Sequence, residues 1–329
     1  MKIVLDAMGT DRAPIVEVEG AVQAVEEFGH DIILVGDEAR IREELKKHAD
    51  HSDKISVKHA GEIIKMHEPA AISVRRKRDS SIVVGVELLK TGEADAFVSA
   101  GNTGAVVCAA TLFLRLLPGI ERPGIAIVMP SVTGTSLVVD VGANINPKPI
   151  HLLQYGIMAD AYSRYIFHKN NPTVGLLSIG EEETKGTEFV KETHTLLSES
   201  KLNFIGNVEG RDVYAGKADV ILCDGFVGNV ILKISESVID TIMELFKNEV
   251  RSNLLATVGA ALLSSAFGVM KKRMDYSEYG GAPLLGVDGR CIICHGSSSA
   301  KAIKNAIRVA AEFVTNDVNK HIIEELESY

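Results

Sequence analysis

The sequence predicts an α/β protein with a mainly parallel sheet, and three observations support this prediction. Short runs rich in Val, Ile and Leu alternate with longer segments of helical periodicity, which is the order of β-α-β units. Several of the short runs are continuously apolar, as in strands that are covered on both faces. The composition is ordinary for a globular protein, with 46% hydrophobic and 24% charged residues among 329.

The apolar runs define the predicted strands, and the helical patterns fall between them. Strands are expected over residues 2–6, 31–36, 54–59, 95–99, 124–129, 136–140, 173–178, 202–206, 219–223 and 290–294. Helices are expected over residues 14–28, 151–167 and 186–200, where apolar positions recur with helical spacing. The length suits one large domain or two closely associated ones.

Charge and cysteine content narrow the class of protein. With 35 basic and 44 acidic side chains the formal charge is −9, which makes the chain a poor candidate for nucleic-acid binding. Asp6 interrupts the N-terminal apolar stretch too early for a secretory signal. The four cysteines lack the paired spacing of a zinc site, so we expect reduced core thiols in a cytoplasmic protein: Cys108, Cys223, Cys291 and Cys294.

The segment 252–270 is uncharged but does not fit a membrane span. It falls just short of the roughly 20 apolar residues that a spanning helix needs, and it contains Asn253, Thr257 and two serines. We therefore expect a buried or interfacial helix over this segment.

Polar and glycine-rich loops follow six of the predicted strands. In open α/β sheets, ligands bind outside the carboxyl ends of the strands, where glycine lets the backbone approach and helix N-termini favour anions. The loop SAGNTG (99–104) is therefore predicted to be an anion cradle, and its alternative is a tight turn with Asn102 or Thr103 as the helix N-cap. The six loops are 6–14, 99–105, 140–149, 178–188, 223–230 and 294–301.

Several familiar catalytic signatures are missing from the sequence. There is no G-x-G-x-x-G, G-x-S-x-G or H-E-x-x-H pattern, and GEEETKGT (180–187) differs from a P-loop because Lys185 precedes Gly186. No side-chain nucleophile is paired with a base. The loops therefore indicate a site that holds an anion and stabilises charge, with no metal and no cofactor predicted.

Taken together, the loop motifs resemble those of the bacterial phosphate acyltransferase family, PlsX. The resemblance covers essentially the whole chain, and its motifs are DAMGTDRAP (6–14), SAGNTGA (99–105), DVGAN (140–144), VGLLSIGEEETKG (174–186), NFIGNVEGRD (203–212), DGFVGNV (224–230), YSEYGGAPLLG (276–286) and HGSSSAKAI (295–303). Thr10 departs from the family pattern, where a second glycine is common, and this puts the first loop's geometry in doubt. Cys294 also departs, replacing a usual alanine.

The resemblance implies a function and a fold. The family forms acyl phosphate from acyl-acyl-carrier-protein and inorganic phosphate for phospholipid synthesis. Its fold is a three-layer α/β/α sandwich of two lobes, similar to phosphate acetyltransferase and the isocitrate and isopropylmalate dehydrogenases, usually in a homodimer. We expect one module over 1–329, with lobes formed by 1–130 plus 296–329 and by 131–295.

Candidate site residues are placed on these motifs. As catalytic groups we predict Lys185 as a cation for phosphate, Asp224 as proton acceptor or partner of Asn229, Asn229 as donor to the carbonyl, and His295 as general acid toward the thiolate. The alternatives are a solvated loop lysine, a helix cap and a structural histidine. Phosphate- or substrate-binding candidates are Asp6, Gly9, Asp11, Ser99, Gly101, Asn102, Thr103, Gly104 and Asn144.

Two cationic segments are candidates for contact with partners. The acidic carrier protein needs local basic patches, and an apolar helix flanked by cations suits a membrane surface from which product passes to a membrane glycerol-3-phosphate acyltransferase. Either segment could instead be solvated surface. The candidates are Arg75, Arg76, Lys77 and Arg78, and then Leu254, Val258, Leu262, Lys271, Lys272 and Arg273.

Three other functions compete with the family assignment. A coenzyme A-linked phosphate acetyl- or butyryltransferase would share fold and chemistry. A metal- and NAD-dependent decarboxylating dehydrogenase could share the sandwich, but neither of its signatures is found. A non-catalytic phosphate- or acyl-binding protein would bind without forming product.

Overall fold

Eleven strands form one sheet in the computed structural model of the chain, which describes residues 1–48, 53–252 and 254–329. The strands are β1 (Lys2–Asp6), β2 (Asp31–Gly36), β3 (Ile55–His59), β4 (Ala96–Ser99), β5 (Gly124–Ser131), β6 (Gly134–Val139), β7 (Val174–Leu177), β8 (Phe204–Val208), β9 (Val220–Leu222), β10 (Ala282–Leu285) and β11 (Cys291–Ile293). Their order across the sheet is β3-β2-β1-β4-β11-β10-β5-β6-β9-β7-β8.

The sheet is parallel except near its centre. β10 runs antiparallel to both β11 and β5, and β5 runs antiparallel to β6. Every predicted strand is present, with ends that shift by no more than two residues. The sequence does not predict β10, because Pro283 and the preceding Gly280 and Gly281 are typical of turns rather than strand interiors.

Helices cover both faces of this sheet. They are α1 (Ile15–Phe28), α2 (Glu38–Leu45), α3 (Ala70–Arg76), α4 (Ser81–Lys90), α5 (Thr103–Ala109), α6 (Pro149–Phe167), α7 (Glu188–Ser198), α8 (Asp212–Ala215), α9 (Gly225–Ser252), α10 (Leu254–Leu262), α11 (Ser264–Met274), α12 (Tyr276–Tyr279), α13 (Ala300–Thr315) and α14 (Val318–Glu327). A π-helical turn over Ala110–Leu114 continues α5.

Alternate residues of the central strands enter two separate cores. Ile3 and Leu5 of β1 join the core that contains the apolar faces of α1 and α13. Val4 joins the other core, with residues of α4 and α5. Because side chains alternate across a strand, this arrangement places the sheet between two helical layers. The predicted three-layer α/β/α sandwich is confirmed.

The sheet runs across both predicted lobes. β11, from the segment 131–295, pairs in parallel with β4 of the first lobe, and β5 contains position 130. The division into lobes at these residues stays a prediction. The junction between them would lie where β11, β10 and β5 meet.

The described residues of the segment 252–270 are largely helical, and of the two expected alternatives, a buried or an interfacial helix, the buried one is wrong while the interfacial one stays a prediction. They comprise the end of α9, all of α10 and part of α11. Val258 is 53% exposed and Leu262 is 82% exposed, since α10 packs mainly on α9. Within the described ranges, no helix is both long and apolar enough to cross a bilayer.

The four cysteine thiols are unpaired, as expected for reduced thiols. Cys223, Cys291 and Cys294 lie in the core, while Cys108 is half-buried. Burial raises the pKa of Cys291 and of Cys294 to about 12, so these thiols are poor nucleophiles near neutral pH.

Candidate active site

A buried hydrogen-bond chain joins the loops that follow β1 and β4. The Asp6 carboxylate accepts a hydrogen bond from the Ser99 hydroxyl at 2.7 Å and one from the Met8 N–H at 3.0 Å. Ser99 Oγ in turn accepts from the Gly101 N–H at 3.0 Å. Burial raises the pKa of Asp6 despite these bonds. Asp6 and Ser99 therefore hold the loop that follows β4 in place from its buried side.

The first loop approaches the second too closely for any residue but glycine at position 9. A Cβ added to Gly9 would lie 2.6 Å from the Gly101 nitrogen, well inside van der Waals contact. The Asp11 N–H donates to the Gly296 carbonyl at 2.9 Å, which ties this loop to the one after β11. The doubt about Thr10 is resolved, since its backbone is not left-handed and its N–H donates to Glu17 Oε1 at 2.7 Å.

Asn102 is a helix cap and a loop anchor, not a free donor to a ligand. Its Oδ1 accepts from the Ala105 N–H at 3.0 Å, which caps α5. Its Nδ2 donates to the carbonyls of Lys65 and Met66, each at 3.1 Å, and lies 3.3 Å from that of Glu68. Both amide hydrogens are therefore occupied by backbone. The alternative given above for this residue, an N-cap, fits the geometry.

Thr103 and Gly104 are the residues of this loop that present donors to open space. Both are exposed, and both line a cavity together with Gly101. The first N–H groups of a helix have no intrahelical acceptor. Within the described part of the chain, the N–H groups of Thr103 and Gly104 have no hydrogen-bond partner outside α5. This end of α5 is therefore available to an anion.

A second buried carboxylate fixes the start of α9. Asp140 accepts backbone hydrogen bonds from Ile125, Gly142, Ala143 and Asn144 at 2.6–3.2 Å. Gly228 packs directly on it, since an added Cβ would lie 2.0 Å from the Asp140 carbonyl oxygen. Asp224 accepts from the N–H groups of Phe226 and Val227 at 3.0 and 2.9 Å. Asp224 thus caps α9, which was the alternative to its predicted catalytic role.

One face of α9 lines the same cavity as Thr103 and Gly104. Asn229, Lys233, Glu236 and Asp240 recur at spacings of three or four residues and all lie on the cavity wall. The Lys233 ammonium contacts Glu236 Oε2 at 3.1 Å and is 47% exposed as a side chain. The recognised motif DGFVGNV ends at residue 230, so the sequence analysis did not identify Lys233. The helical period starting from Asn229 could have found it.

His295 meets Lys233 at the floor of this cavity. The Lys233 ammonium donates to His295 Nε2 at 2.8 Å, because an ammonium has donors only. On the other side of the ring, Nδ1 lies 2.6 Å from Ser297 Oγ and accepts a hydrogen bond from the Ser297 N–H at 3.2 Å. The histidine is therefore oriented from both sides, with Nε2 directed toward the cation. This pair can carry charge and relay a proton.

The cavity combines a polar end with apolar walls. Its volume is about 540 Å³. Its polar groups come from the ends of β4 and β11 and from α9, and the apolar walls come mainly from β5 and α9. Among the apolar lining residues are Ile125, Ile127, Met129, Leu232 and Ile239. Such a cavity suits a ligand with an anionic or carbonyl end and an apolar body.

Seven of the thirteen predicted site residues do not line this cavity: Asp6, Gly9, Ser99, Asn102 and Asp224, described above, and also Lys185 and Asn144. Lys185 is exposed in the loop after β7, where its own N–H donates to the Glu182 carbonyl. The Asn144 side chain is used internally, since its Nδ2 donates to the Pro123 carbonyl at 2.6 Å and to the Tyr155 hydroxyl at 2.7 Å. Neither residue is among those lining the main cavity.

The residues predicted to contact the carrier protein or a membrane differ in how exposed they are. Lys77 is committed internally, with its ammonium 2.7 Å from both the Ile63 carbonyl and Glu68 Oε1. Arg78 lies over the Phe113 ring at 4.7 Å, while Arg75 and Arg76 are exposed. Lys272 and Arg273 are exposed on α11. The side chains of Leu254 and Lys271 lie outside the described residues.

Comparison with known sequences identifies close relatives. Residues 1–321 match the family described as "Fatty acid synthesis protein". The chain is 50% identical over 327 residues to a protein named "Phosphate acyltransferase" from Geotalea uraniireducens (strain Rf4), covering 99% of this chain and 94% of that protein. It is 49% identical over 328 residues to the "Phosphate acyltransferase" of Geobacter sulfurreducens, covering 100% and 95%.

A solved structure shares the fold at low sequence identity. A phosphotransacetylase from Streptococcus pyogenes superposes with a TM-score of 0.62 at 18% identity, over 96% of this chain and 94% of that one. At this identity the similarity shows the fold alone.

Proposed function

This chain belongs to the phosphate acyltransferase family of fatty acid synthesis proteins, and we propose that its cavity is where inorganic phosphate attacks an acyl-carrier-protein thioester. The protein is an acyltransferase that forms acyl phosphate for phospholipid synthesis. The observation that carries the proposed site is the Lys233–His295 pair in one cavity with the open N–H groups of Thr103 and Gly104.

Phosphate would bind between the end of α5 and the Lys233 ammonium. The N–H groups of Thr103 and Gly104, the Thr103 hydroxyl and Lys233 supply donors that converge on one polar region. At Gly101 an added Cβ would lie 3.0 Å from Asp6 Oδ2, and at Gly104 it would lie 3.1 Å from the Ala70 Cβ, so both glycines serve the packing of the loop against the protein. Lys185 has no part in this arrangement, and its exposed position supports the alternative of a solvated loop lysine.

The chemical step needs no covalent enzyme intermediate. An oxygen of hydrogen phosphate forms a bond to the thioester carbonyl carbon, and the carbon–sulfur bond breaks. The phosphate proton passes to the leaving sulfur, with His295 Nε2 as the relay. Asn229 and Lys233 stabilise the negative charge that develops on the carbonyl oxygen. The products are acyl phosphate and the free carrier thiol, and atoms and charge balance.

The acyl chain would lie along the apolar walls of the cavity. Ile125, Ile127 and Met129 lie on one wall, and Leu232 and Ile239 of α9 add to the apolar surface. Burial of apolar surface contributes roughly 25 cal/mol per Å², so a longer chain gains more binding energy until the cavity is filled. This supports an acyl substrate larger than acetyl.

Carrier-protein docking is proposed at the cationic end of α3. Arg75, Arg76 and Arg78 are exposed there, and α3 packs on α5, whose first turn lines the cavity. An acidic carrier docked at this end would lie beside Cys108 and Phe113, whereas the first turn of α5 packs against Ala70 at the opposite end of α3. Its thioester would therefore have to extend along α5 to reach the polar end of the site. Lys77 is left out, because Glu68 holds its ammonium.

A homodimer in the cytoplasm with reversible membrane contact is also proposed. Val258 and Leu262 of α10 are exposed apolar side chains, followed by the exposed cations Lys272 and Arg273. This combination suits an interface or a lipid surface, from which a membrane glycerol-3-phosphate acyltransferase could take the product. Val258→Glu with Leu262→Glu should reduce sedimentation with anionic liposomes and leave turnover unchanged. Unchanged sedimentation would contradict the membrane contact.

The direct test is product formation. The protein is mixed with long-chain acyl-carrier-protein and labelled phosphate, and hydroxylamine-sensitive acyl phosphate is measured. We expect product without added nucleotide. Efficient turnover of acetyl-coenzyme A but not of acyl-carrier-protein would favour the coenzyme A-linked alternative. Saturable binding without product would favour a binding protein.

A further inference from the structure

The sheet divides beside the cavity, between β5 and β10. In the described chain, β10 pairs with β11 through Ala282 and Pro283 and with β5 through Leu284 and Leu285. β5 continues to Ser131, beyond its last pair with β10. Both sides of this division line the cavity, residues 127–130 on β5 and residues 280–282 at the start of β10.

Proline explains why the two strands separate. The register of Leu284 with Ile125 places Pro283 opposite Ala126. Pro283 has no N–H to donate to β5, so pairing stops there. Pro130 on β5 likewise has no N–H. The division is thus encoded in the two strands themselves.

The backbone of Val128 faces this division. Along an antiparallel strand, successive residues direct their N–H and C=O groups to opposite sides. Ile125 directs its groups toward the end of β6, with its N–H 3.0 Å from Asp140 Oδ1 and its carbonyl 3.0 Å from the Val141 N–H. By the same alternation, the N–H and C=O groups of Val128 point away from β6. The Val128 side chain packs against the core on the other face of the sheet, so its backbone is what reaches the cavity.

The opposite side carries a matching group. Gly124 and Leu285 are paired across β5 and β10, and the same register continued past the start of β10 places Gly281 opposite Val128. Gly281 also lines the cavity. Within the described residues, neither Val128 nor Gly281 is in the register that pairs β5 with β10, and the space between them continues to Lys233 and His295.

We propose that this division binds the pantetheine arm of the thioester substrate, with its secondary amides paired to the Val128 and Gly281 backbone. The inference rests on the proposed function, because a carrier thioester reaches the reacting groups through an extended chain that contains two amides. An extended amide chain beside an open strand edge is a common recognition mode. The acyl chain would be a poor occupant, since it would leave buried amide groups unpaired.

The first test uses the unmodified protein and three thioesters of one acyl group. S-acyl-pantetheine has two amides, the S-acyl-N-acetylcysteamine has one, and the S-acyl-ethanethiol has none. We expect kcat/KM for acyl phosphate formation to fall about tenfold as each amide is removed, the loss of one well-formed hydrogen-bonding group. Equal kcat/KM for the three compounds would overturn the arm site and leave the proposed function standing.

The second test removes one donor from the strand edge. Val128→Pro deletes an N–H that the β5–β6 ladder does not use, and S-acyl-ethanethiol, which has no amide, is the internal control. We expect Val128→Pro to lower kcat/KM about tenfold for S-acyl-pantetheine and less than twofold for S-acyl-ethanethiol. An equal loss for both thioesters, or no loss, would contradict the site. Failure of the unmodified protein to form acyl phosphate from any thioester would instead contradict the proposed function.

Discussion

The loop that follows β4 and the first turns of α9 line the same cavity, but they are held in different ways. The loop over 99–104 is fixed from behind, by the Asp6–Ser99–Gly101 chain and by Asn102 bonded to the backbone of residues 65–68. The α9 face is fixed at its start by Asp140 and Asp224, and beyond that point Asn229, Lys233 and Asp240 are exposed.

This difference separates stability from chemistry. Most polar side chains of the loop are occupied by the protein, so the loop offers a ligand mainly its backbone and Thr103. On α9 the Lys233 ammonium contacts only Glu236 and His295, which line the same cavity, so these side chains face the ligand space and contribute little to folding. Substitutions on the two sides should therefore have different signatures, and the following predictions use that contrast.

The largest effect is expected at Lys233. Replacing it by methionine removes the cation that stabilises the developing charge, so kcat should fall about 10²–10³-fold, as for loss of one donor to an oxyanion. The melting temperature should stay within about 1 °C, because the side chain is half-exposed and an exposed ion pair adds little stability. Lys247→Met, an exposed lysine farther along α9, is the control. Near-normal turnover of Lys233→Met would exclude this helix face from the chemistry.

The next effect concerns the loop that follows β1. Glu17 is fully buried and accepts a hydrogen bond from the Thr10 N–H in this loop, and burial raises the pKa of Glu17 to about 7 from 4.5. Between these values the folded protein keeps a proton that the unfolded chain has lost. The free energy of unfolding should therefore fall by about 3 kcal/mol as the pH rises from 4.5 to 7.

Glu17→Gln isolates this contribution. The variant cannot ionise, so its unfolding free energy should change less between pH 5 and pH 8 than that of the unmodified protein. Urea unfolding at both values measures the difference. Parallel pH dependence in the two proteins would show that Glu17 does not titrate in this interval.

A smaller, purely catalytic effect is expected at Thr103. Thr103→Val keeps the shape of the side chain and removes the hydroxyl from the cavity wall. The KM for phosphate should rise, or kcat fall, about tenfold, the value of one hydrogen bond to a charged group. Unfolding in urea should be unchanged, because the hydroxyl is exposed. A loss of stability without loss of turnover would mean that Thr103 serves the fold.

The smallest expected effect is structural and concerns Asn102, the residue before Thr103. Asn102→Ala removes the cap of α5 and should lower the free energy of unfolding by about 1 kcal/mol or somewhat more. Asn102→Ser retains a capping oxygen and should recover part of that loss. Turnover of the folded fraction should fall less than in Thr103→Val. The reverse order would return Asn102 to the role of direct phosphate donor.

The sequence predicts the strands and helices better than it predicts which side chains act in the site. Strands such as 2–6 and 219–223 are continuous apolar runs, so their existence follows from local pattern. β10 does not, because its pairing depends on neighbours that are distant in the chain and overcomes the turn preference of Pro283. Gly9 was predicted to bind substrate, which stays a prediction, whereas its close approach to the Gly101 backbone is a contact between two loops that only the fold identifies.

Whether a site residue could be predicted depends on how far along the chain its contacts lie. Thr103, Gly104, Asn229 and His295 were predicted from strand-end motifs and do line one cavity. The role of Asn102 depends on carbonyls some 35 residues away, at Lys65 and Met66, which no local pattern displays. Lys233 lies beyond the recognised motif, where only the helical period would point to it. Lys185 was predicted as a cation for phosphate because it lies in the motif over 174–186, and its exposed position away from the cavity gives that role no support.

The central claim is that both walls act on one reacting centre. The most direct measurement is a double-mutant cycle on kcat/KM for acyl phosphate formation, with Thr103→Val, Lys233→Met and the double variant. Groups that act together are strongly non-additive, so the double variant should lose clearly less than the product of the two single losses. Losses that simply multiply would contradict the claim, because they would mean that the loop and the helix act on independent events.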